Sequence, residues 1–203
     1  MLRHPNSFLL ALGLALCHPS FSITEAIYGA SPWATLINQA RPQHLALSSL
    51  GVTRKATAIP CFVDPTAAIH TDSRVRLLLV SGLDGSRDSV HATLELANWF
   101  TQSAAASELR SRCVLSVVPC VNMDGLAENL GTSNGVGGAP SRGYPPPRKA
   151  AYHSPTDPER SYLWRWIGMH APDLVLEVTG LRSYERLKKL GLQNACADSF
   201  WPP

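Results

Sequence analysis

The sequence predicts an α/β fold, a doubly wound and mostly parallel sheet with flanking helices, on three observations. Apolar runs at residues 75–81, 113–118 and 173–178 lack the alternation of a half-solvated strand and read as strands covered on both faces. The segments between them carry helical spacing of apolar residues or turn chemistry. Their order, strand, helix, strand, loop, helix, strand, is that of parallel strands joined by right-handed crossovers.

Residues 23–73 are mixed, with Pro32, Pro42, Pro60 and Pro65 interrupting short apolar pieces, and 56–63 is the best strand candidate there. The run at 75–81 ends in Gly82, and the helix after it places Val90, Leu94, Ala97 and Trp99 or Phe100 at helical spacing up to Ala106, with Ser86 or Asp88 as its cap. The second strand, 113–118, leads through Pro119 into a turn at 122–125. Residues 128–151 are rich in Gly, Pro, Ser and Asn, and loops of that length are usually functional or disordered. Thr156 and Glu159 have the spacing of a capping box, opening a helix with Leu163, Trp166, Ile167 and His170 on one face and Pro172 as its stop. The third strand follows at 173–178. Beyond Thr179 a short basic segment at 184–190 and a tail ending in Trp201 show no further strong strand, so the sheet is expected to be small or incomplete.

The chain has 203 residues, 45% of them hydrophobic and 16% charged, enough for one domain with a real core. Its formal charge of +3 comes from scattered Lys and Arg, which gives no stripe to track a phosphate backbone and argues against nucleic acid as a partner. Residues 1–22 read as a secretory signal, with Arg3 and His4 ahead of the apolar run 8–17 and Ser20 and Ser22 at the cleavage-determining positions. That run is short for a bilayer span. The alternatives are an uncleaved anchor or a misassigned start. Export to the periplasm or medium is therefore expected, with 23–203 as a single domain and no membrane span in the mature chain. Cys61, Cys113, Cys120 and Cys196 then form an even set that an oxidising compartment permits to pair. Cys113 and Cys120 lie at opposite ends of one strand, too far apart to bridge each other, so any disulfide is long-range, and all four as buried thiols is the alternative.

In open α/β sheets ligands bind beyond the carboxyl ends of the strands, which here means residues 83–88, 121–125 and 177–180. Taken together, these segments resemble the zinc carboxypeptidases of the carboxypeptidase A type, most closely the bacterial branch that includes murein peptide amidases, over about residues 74–180. The stretch from Leu77 through Asp84-Gly85-Ser86-Arg87 is similar to the family's strand and His-Gly-x-Glu zinc motif. Pro119-Cys120-Val121-Asn122-Met123-Asp124-Gly125 resembles its Pro-x-x-Asn-Pro-Asp-Gly turn and is the most specific match. Ser141-Arg142-Gly143-Tyr144-Pro145 resembles its Asn-Arg-Asn-Phe-Pro stretch, whose Asn and Arg bind the substrate carboxylate. Thr156-Asp157-Pro158-Glu159 resembles its Ser-Glu-Pro-Glu helix start, and residues 172–180 resemble the strand that ends in the third zinc ligand.

The resemblance implies zinc at positions that hold other residues here: Asp84 for the first His, Arg87 for the Glu and Thr179 for the second His, while Ser141 replaces the Asn before Arg142. The family's catalytic glutamate and substrate-capping tyrosine belong to a C-terminal portion that the sequence does not show, so the domain reads as C-terminally truncated. Zinc is held by imidazole and carboxylate, usually from three protein ligands. A unit positive charge about 4 Å from another repels it by about 4 kcal/mol at an effective dielectric near 20, and a divalent ion roughly doubles that. No metal, cofactor or catalytic residue is therefore expected. One expectation for Arg87 is an ion pair with Asp84, and with Glu177 as a further partner; the alternative is that Asp84 caps the next helix and Arg87 is solvated. His70, His91, His153 and His170 are dispersed and form no helical zinc pair. Ser81 to Ser86 lacks the order of a nucleophile elbow.

The resemblance thus implies a carboxypeptidase-like protein with a degenerate metal site, catalytically inactive, that binds a peptide or cell-wall peptide end, with Arg142 on the carboxylate and Ser141 beside it. The alternative is an active metallocarboxypeptidase or peptide amidase whose site is rebuilt or whose C-terminal half is missing.

Overall fold

A computed structural model describes residues 31–69, 71–144 and 154–179. The expected signal, Cys196, His70, His153 and the basic segment after Thr179 lie outside them. In chain order the elements are α1 (Pro32–Gln39), β1 (Ala46–Val52), β2 (Ala58–Val63), β3 (Val75–Ser81), α2 (Arg87–Gln102), a 3-10 turn (Ala104–Ala106), α3 (Ser107–Arg112), β4 (Cys113–Val118), α4 (Met123–Glu128), α5 (Pro158–His170) and β5 (Leu174–Val178).

The fold class is α/β, and the five strands form one mixed sheet in the order β1-β2-β4-β3-β5. β4, β3 and β5 run parallel, whereas β2 is antiparallel to both β1 and β4. The chain passes from β3 to β4 on one side and then returns across β3 to place β5 on the other. That reversal opens a crevice beyond the carboxyl ends of β3, β4 and β5, where such sheets hold ligands.

All six residues of β4 are buried, as its apolar run requires, and β3 becomes buried toward its C-terminal end. α2 lies on β3, β4 and β5 through Val90, Leu94 and Ala97, which are fully buried. Val90 and Leu94 each contribute about 1.5–3 kcal/mol on leaving water, and the single methyl of Ala97 less. Asn98 ties α2 to α1 by donating from Nδ2 to the Ala40 carbonyl at 3.2 Å. α5 packs on β1, with Leu163 and Trp166 in the core.

Several expectations are corrected. β5 is not a buried strand: Leu174, Val175 and Leu176 are 40–46% exposed and only Val178 is buried, because among the described residues β5 has a neighbour on one side only. Its start is fixed on β3 by polar contacts instead. Arg76 N–H donates to Asp173 Oδ2 at 2.8 Å and Asp173 N–H donates to the Arg76 carbonyl at 2.9 Å. The turn at 122–125 is the start of α4, with Asn122 Oδ1 accepting from the Gly125 N–H at 3.1 Å as a helix cap. The capping box is displaced by one residue: Asp157, not Thr156, caps α5 and accepts from the Arg160 N–H, while Glu159 turns inward and is fully buried. α2 stops at Gln102 rather than Ala106, where Ser103 accepts from the Ala105 N–H and starts the 3-10 turn.

α1 and β1 were not expected. Pro32 sits at the first helical position, where its missing N–H is not needed. Pro60 lies within β2, and the β1 register shifts between Ser49 and Gly51 opposite it, a bulge where the ladder would otherwise need a donor. Cys61, Cys113 and Cys120 are buried free thiols. No helix of the described residues is long and apolar enough to cross a membrane.

Candidate functional site

The parallel register pairs Val80 with Val118 and Glu177, and Ser81 with Val178, so the three strands end together and their following loops meet. Main-chain bonds join those loops: the N–H groups of Val121 and Asn122 donate to the carbonyls of Ser81 and Gly82 at 3.1 and 3.0 Å. Ser81 Oγ donates to the Pro119 carbonyl at 2.5 Å. Gly82 has φ +63°, and a Cβ there would lie 2.7 Å from Cys120 Sγ and 2.8 Å from its Cα, so only glycine lets the two loops cross this closely.

Asp84 is half-buried, and its Oδ1 accepts from the Ser86 N–H at 3.0 Å and from Ser89 Oγ at 3.2 Å. It thus organises the start of α2, whose nominal cap, Ser86, makes no capping bond of its own. Arg87 does not pair with Asp84 or Glu177. Its guanidinium carbon stands 4.8 Å from the centroid of the Trp33 ring, and among the described residues no carboxylate lies within 4.0 Å of it. Arg87 is half-buried, its Nε has no hydrogen-bond partner among the described residues, and the guanidinium gains from the face of the indole. The ion pair fails because α1, absent from the sequence reading, puts an aromatic face where Arg87 turns.

Glu177, near the end of β5, has its carboxyl pushed up by partial desolvation and then by the negative charge of Asp84. Asp84 and Glu177 are therefore near enough to repel each other, and among the described residues neither is in an ion pair. Thr179 follows β5 and is exposed. Among the described residues no three His, Cys, Asp or Glu side chains are grouped to hold a metal ion. His170 stacks on Trp166 at 4.0 Å, and His91 is buried in α2 beside Glu95, in agreement with packing roles.

Ser141 and Arg142 lie on the long loop between α4 and α5. The Arg142 N–H donates to the Ala139 carbonyl at 3.0 Å, its carbonyl accepts from Arg160 Nη1, and its side chain is exposed with no carboxylate of the described residues on it. Two residues on, Tyr144 turns into a cavity of about 300 Å³ between α5, β3 and β5. Val80, Leu83, Leu163, Trp164, Ile167 and Val175 make its walls, and Glu177 is its charged member. The Tyr144 hydroxyl is buried without a partner among the described residues, and burial followed by the nearby Asp157 and Glu177 holds it protonated well above the usual phenol range. The loop that lines this apolar cavity through Tyr144 also carries Arg142, whose planar guanidinium is suited to a carboxylate.

Sequence reading did not assign roles to Trp33, Asn134 or Tyr144. Trp33 belongs to an unexpected helix, and Asn134 is one polar residue in a loop rich in them. Tyr144 stood inside a quoted motif with nothing to show which way its ring turned.

Comparison with solved structures decides the fold. The metallo-carboxypeptidase of Burkholderia cenocepacia superposes with a TM-score of 0.57 at 16% identity, covering 74% of this chain and 40% of that one. The chain has a metallo-carboxypeptidase fold. The Pseudomonas aeruginosa metallo-carboxypeptidase, solved with (2-guanidinoethylmercapto)succinic acid, gives 0.52 at 19% identity over 74% of this chain and 39% of that one. The carboxypeptidase A of Helicoverpa armigera gives 0.50 at 16% identity over 71% and 43%. The chain therefore spans about two fifths of the length of these carboxypeptidases. No family model matches the sequence, and no curated protein does.

Proposed function

We propose that this carboxypeptidase-fold protein binds the carboxylate end of a peptide, including a cell-wall peptide, and does not hydrolyse it. The observation that carries the reading is Arg142, an exposed guanidinium with no carboxylate partner among the described residues, whose own main chain is hydrogen-bonded at both N–H and carbonyl. Arg142 supplies the bidentate contact, Ser141 a hydroxyl beside it, and the cavity lined by Leu163, Ile167 and Val175 takes an apolar side chain of the peptide.

Zinc is the cofactor the fold implies, and the residues at the matching positions do not fit it. Asp84 is committed to Ser86 and Ser89, Arg87 is a fixed cation, and Thr179 offers a neutral hydroxyl. This donor set supplies one carboxylate where three ligands are needed. Export is part of the proposal and rests on the signal-like residues 1–22.

Calorimetric titration with a short apolar peptide, as the free acid and as its C-terminal amide, tests the reading. The free acid binds and the amide does not; Arg142→Ala weakens the free acid by about 1.5–3 kcal/mol, the range of hydrogen bonds to a charged group, with no change in unfolding midpoint. Equal affinity for acid and amide would remove Arg142 from the site.

A further inference from the structure

The loop that carries Arg142 has few apolar anchors. Leu130 and Val136 are 38% exposed, and the loop is fastened by polar groups, most of them onto the first turn of α5. Asn134 is fully buried and uses its whole amide. Its Nδ2 donates to the Thr156 carbonyl at 2.9 Å and to Glu159 Oε2 at 3.1 Å, and its Oδ1 accepts from the N–H groups of Val136 and Gly138 at 3.2 and 2.8 Å. The Ala139 N–H donates to Asp157 Oδ2 at 3.2 Å, and Arg160 Nη1 donates to the Arg142 carbonyl. A Cβ on Gly138 would strike the Thr156 carbonyl and the Asn134 amide, so the loop lies directly against the start of α5.

Glu159, the centre of this fastening, is fully buried, and among the described residues no cation is paired with it. Asp157 lies beside it at the start of its own helix, Asp124 acts on it from α4, and the neighbouring Arg160 points its Nε at Asp157 Oδ2 at 3.5 Å. Glu159 Oε1 and Asp124 Oδ2 receive no hydrogen bond, as befits oxygens crowded by other acids. A proton on Glu159 resolves the conflict, because it makes Glu159 a donor to Asp157 while leaving Oε2 to accept from Asn134.

We propose that Asn134, Asp157 and Glu159 form a latch, closed when Glu159 carries a proton, that fixes the Arg142 loop on α5. Ionisation leaves a negative charge fully buried beside two other acids and removes the donor to Asp157; that cost opposes the stronger bond from Asn134 and is relieved when the loop lifts and water reaches Glu159. Burial, with smaller contributions from Asp157 and Asp124, moves the Glu159 carboxyl up to about 7, which sets the latch near neutral pH. The latch itself needs no ligand; only its effect on peptide binding rests on the reading of Arg142.

Hydrogen exchange of the ligand-free chain, corrected for intrinsic rates, tests it at the amides of Val136, Gly138 and Ala139. Their protection is expected to fall about tenfold per pH unit between pH 5 and 7 and to level off above that. Glu159→Gln keeps the acceptor for Asn134 but cannot ionise, so its protection should be high and flat with pH. Protection in the wild-type chain that does not change with pH, or the same pH dependence in the variant, overturns the latch. Should the variant not fold, the carboxyl carbon shift of Glu159 in the wild-type chain decides: a midpoint near 7 supports the latch and one near 4.5 overturns it. A latch that responds to pH in a chain that binds no free-acid peptide would overturn the role of Arg142 and leave the latch standing.

Discussion

Asn122 holds the loops of the crevice together. It is fully buried, caps α4 through Oδ1, and sends Nδ2 to the carbonyls of Gly131 and Ser133 at 3.1 and 3.0 Å, so one side chain joins the loop after β4 to the start of the Arg142 loop. Asn122→Ala loses the cap and two part-buried hydrogen bonds; it should cost about 1–3 kcal/mol in denaturant unfolding. Glu159 gives a stability effect of the opposite pH sense to the usual carboxylate. Its folded value, about 7, lies above the unfolded 4.5, so the folded state holds the proton more tightly. The contribution is full below pH 4.5 and declines through the interval to 7, so the chain is about 3 kcal/mol less stable above that interval than below it, a pH dependence that a Glu159→Gln chain lacks. Unfolding midpoints of the two proteins at pH 5 and pH 8 measure the difference. Burial also pushes the Cys61 thiol up to about 12 and Cys120 in the same direction, with Asp84 adding to the latter. Alkylation of both at pH 8 should follow the unfolding rate, and mass spectrometry of labelled peptides reads it.

Among elements, the pattern was legible where burial is two-sided and blurred where a local rule had an exception. β3 and β4 coincide with their apolar runs because nothing but packing chooses those residues. β5 was placed to within one residue but judged buried, since an apolar run reports affinity for a core and not the presence of a neighbouring strand. The pieces around Pro32 and Pro60 were obscured by prolines that the structure accommodates at a helix start and beside a bulge. The cap of α5 was legible in kind and wrong by one residue, because Thr156 and Asp157 both qualify and only the depth of Glu159 separates them. These contrasts have energetic consequences. Leu115→Ala in β4 should lower stability by about 2–5 kcal/mol, whereas Leu176→Ala in β5, 40% exposed, should change it by less than about 1 kcal/mol, both read from chemical denaturation.

At the scale of the molecule, the sequence carried the order of strands and loops well enough to reach the metallo-carboxypeptidase fold, which the solved structures bear out at 16–19% identity. The crevice was foreseen because the carboxyl ends of parallel strands mark it before any side chain is placed. Its interior was less legible: the expected pairing of Arg87 with Asp84 gives way to stacking on Trp33, and Tyr144 and Asn134 act through contacts more than ten residues away in the chain. The central claim is that this crevice recognises a carboxylate without holding a metal ion. Zinc content by plasma mass spectrometry, on purified folded chain equilibrated with a modest excess of zinc and then desalted, tests it most directly. The account predicts far less than one zinc per chain, unchanged in Asp84→Asn; one zinc per chain that is lost in Asp84→Asn would contradict it and restore a metal-dependent peptidase.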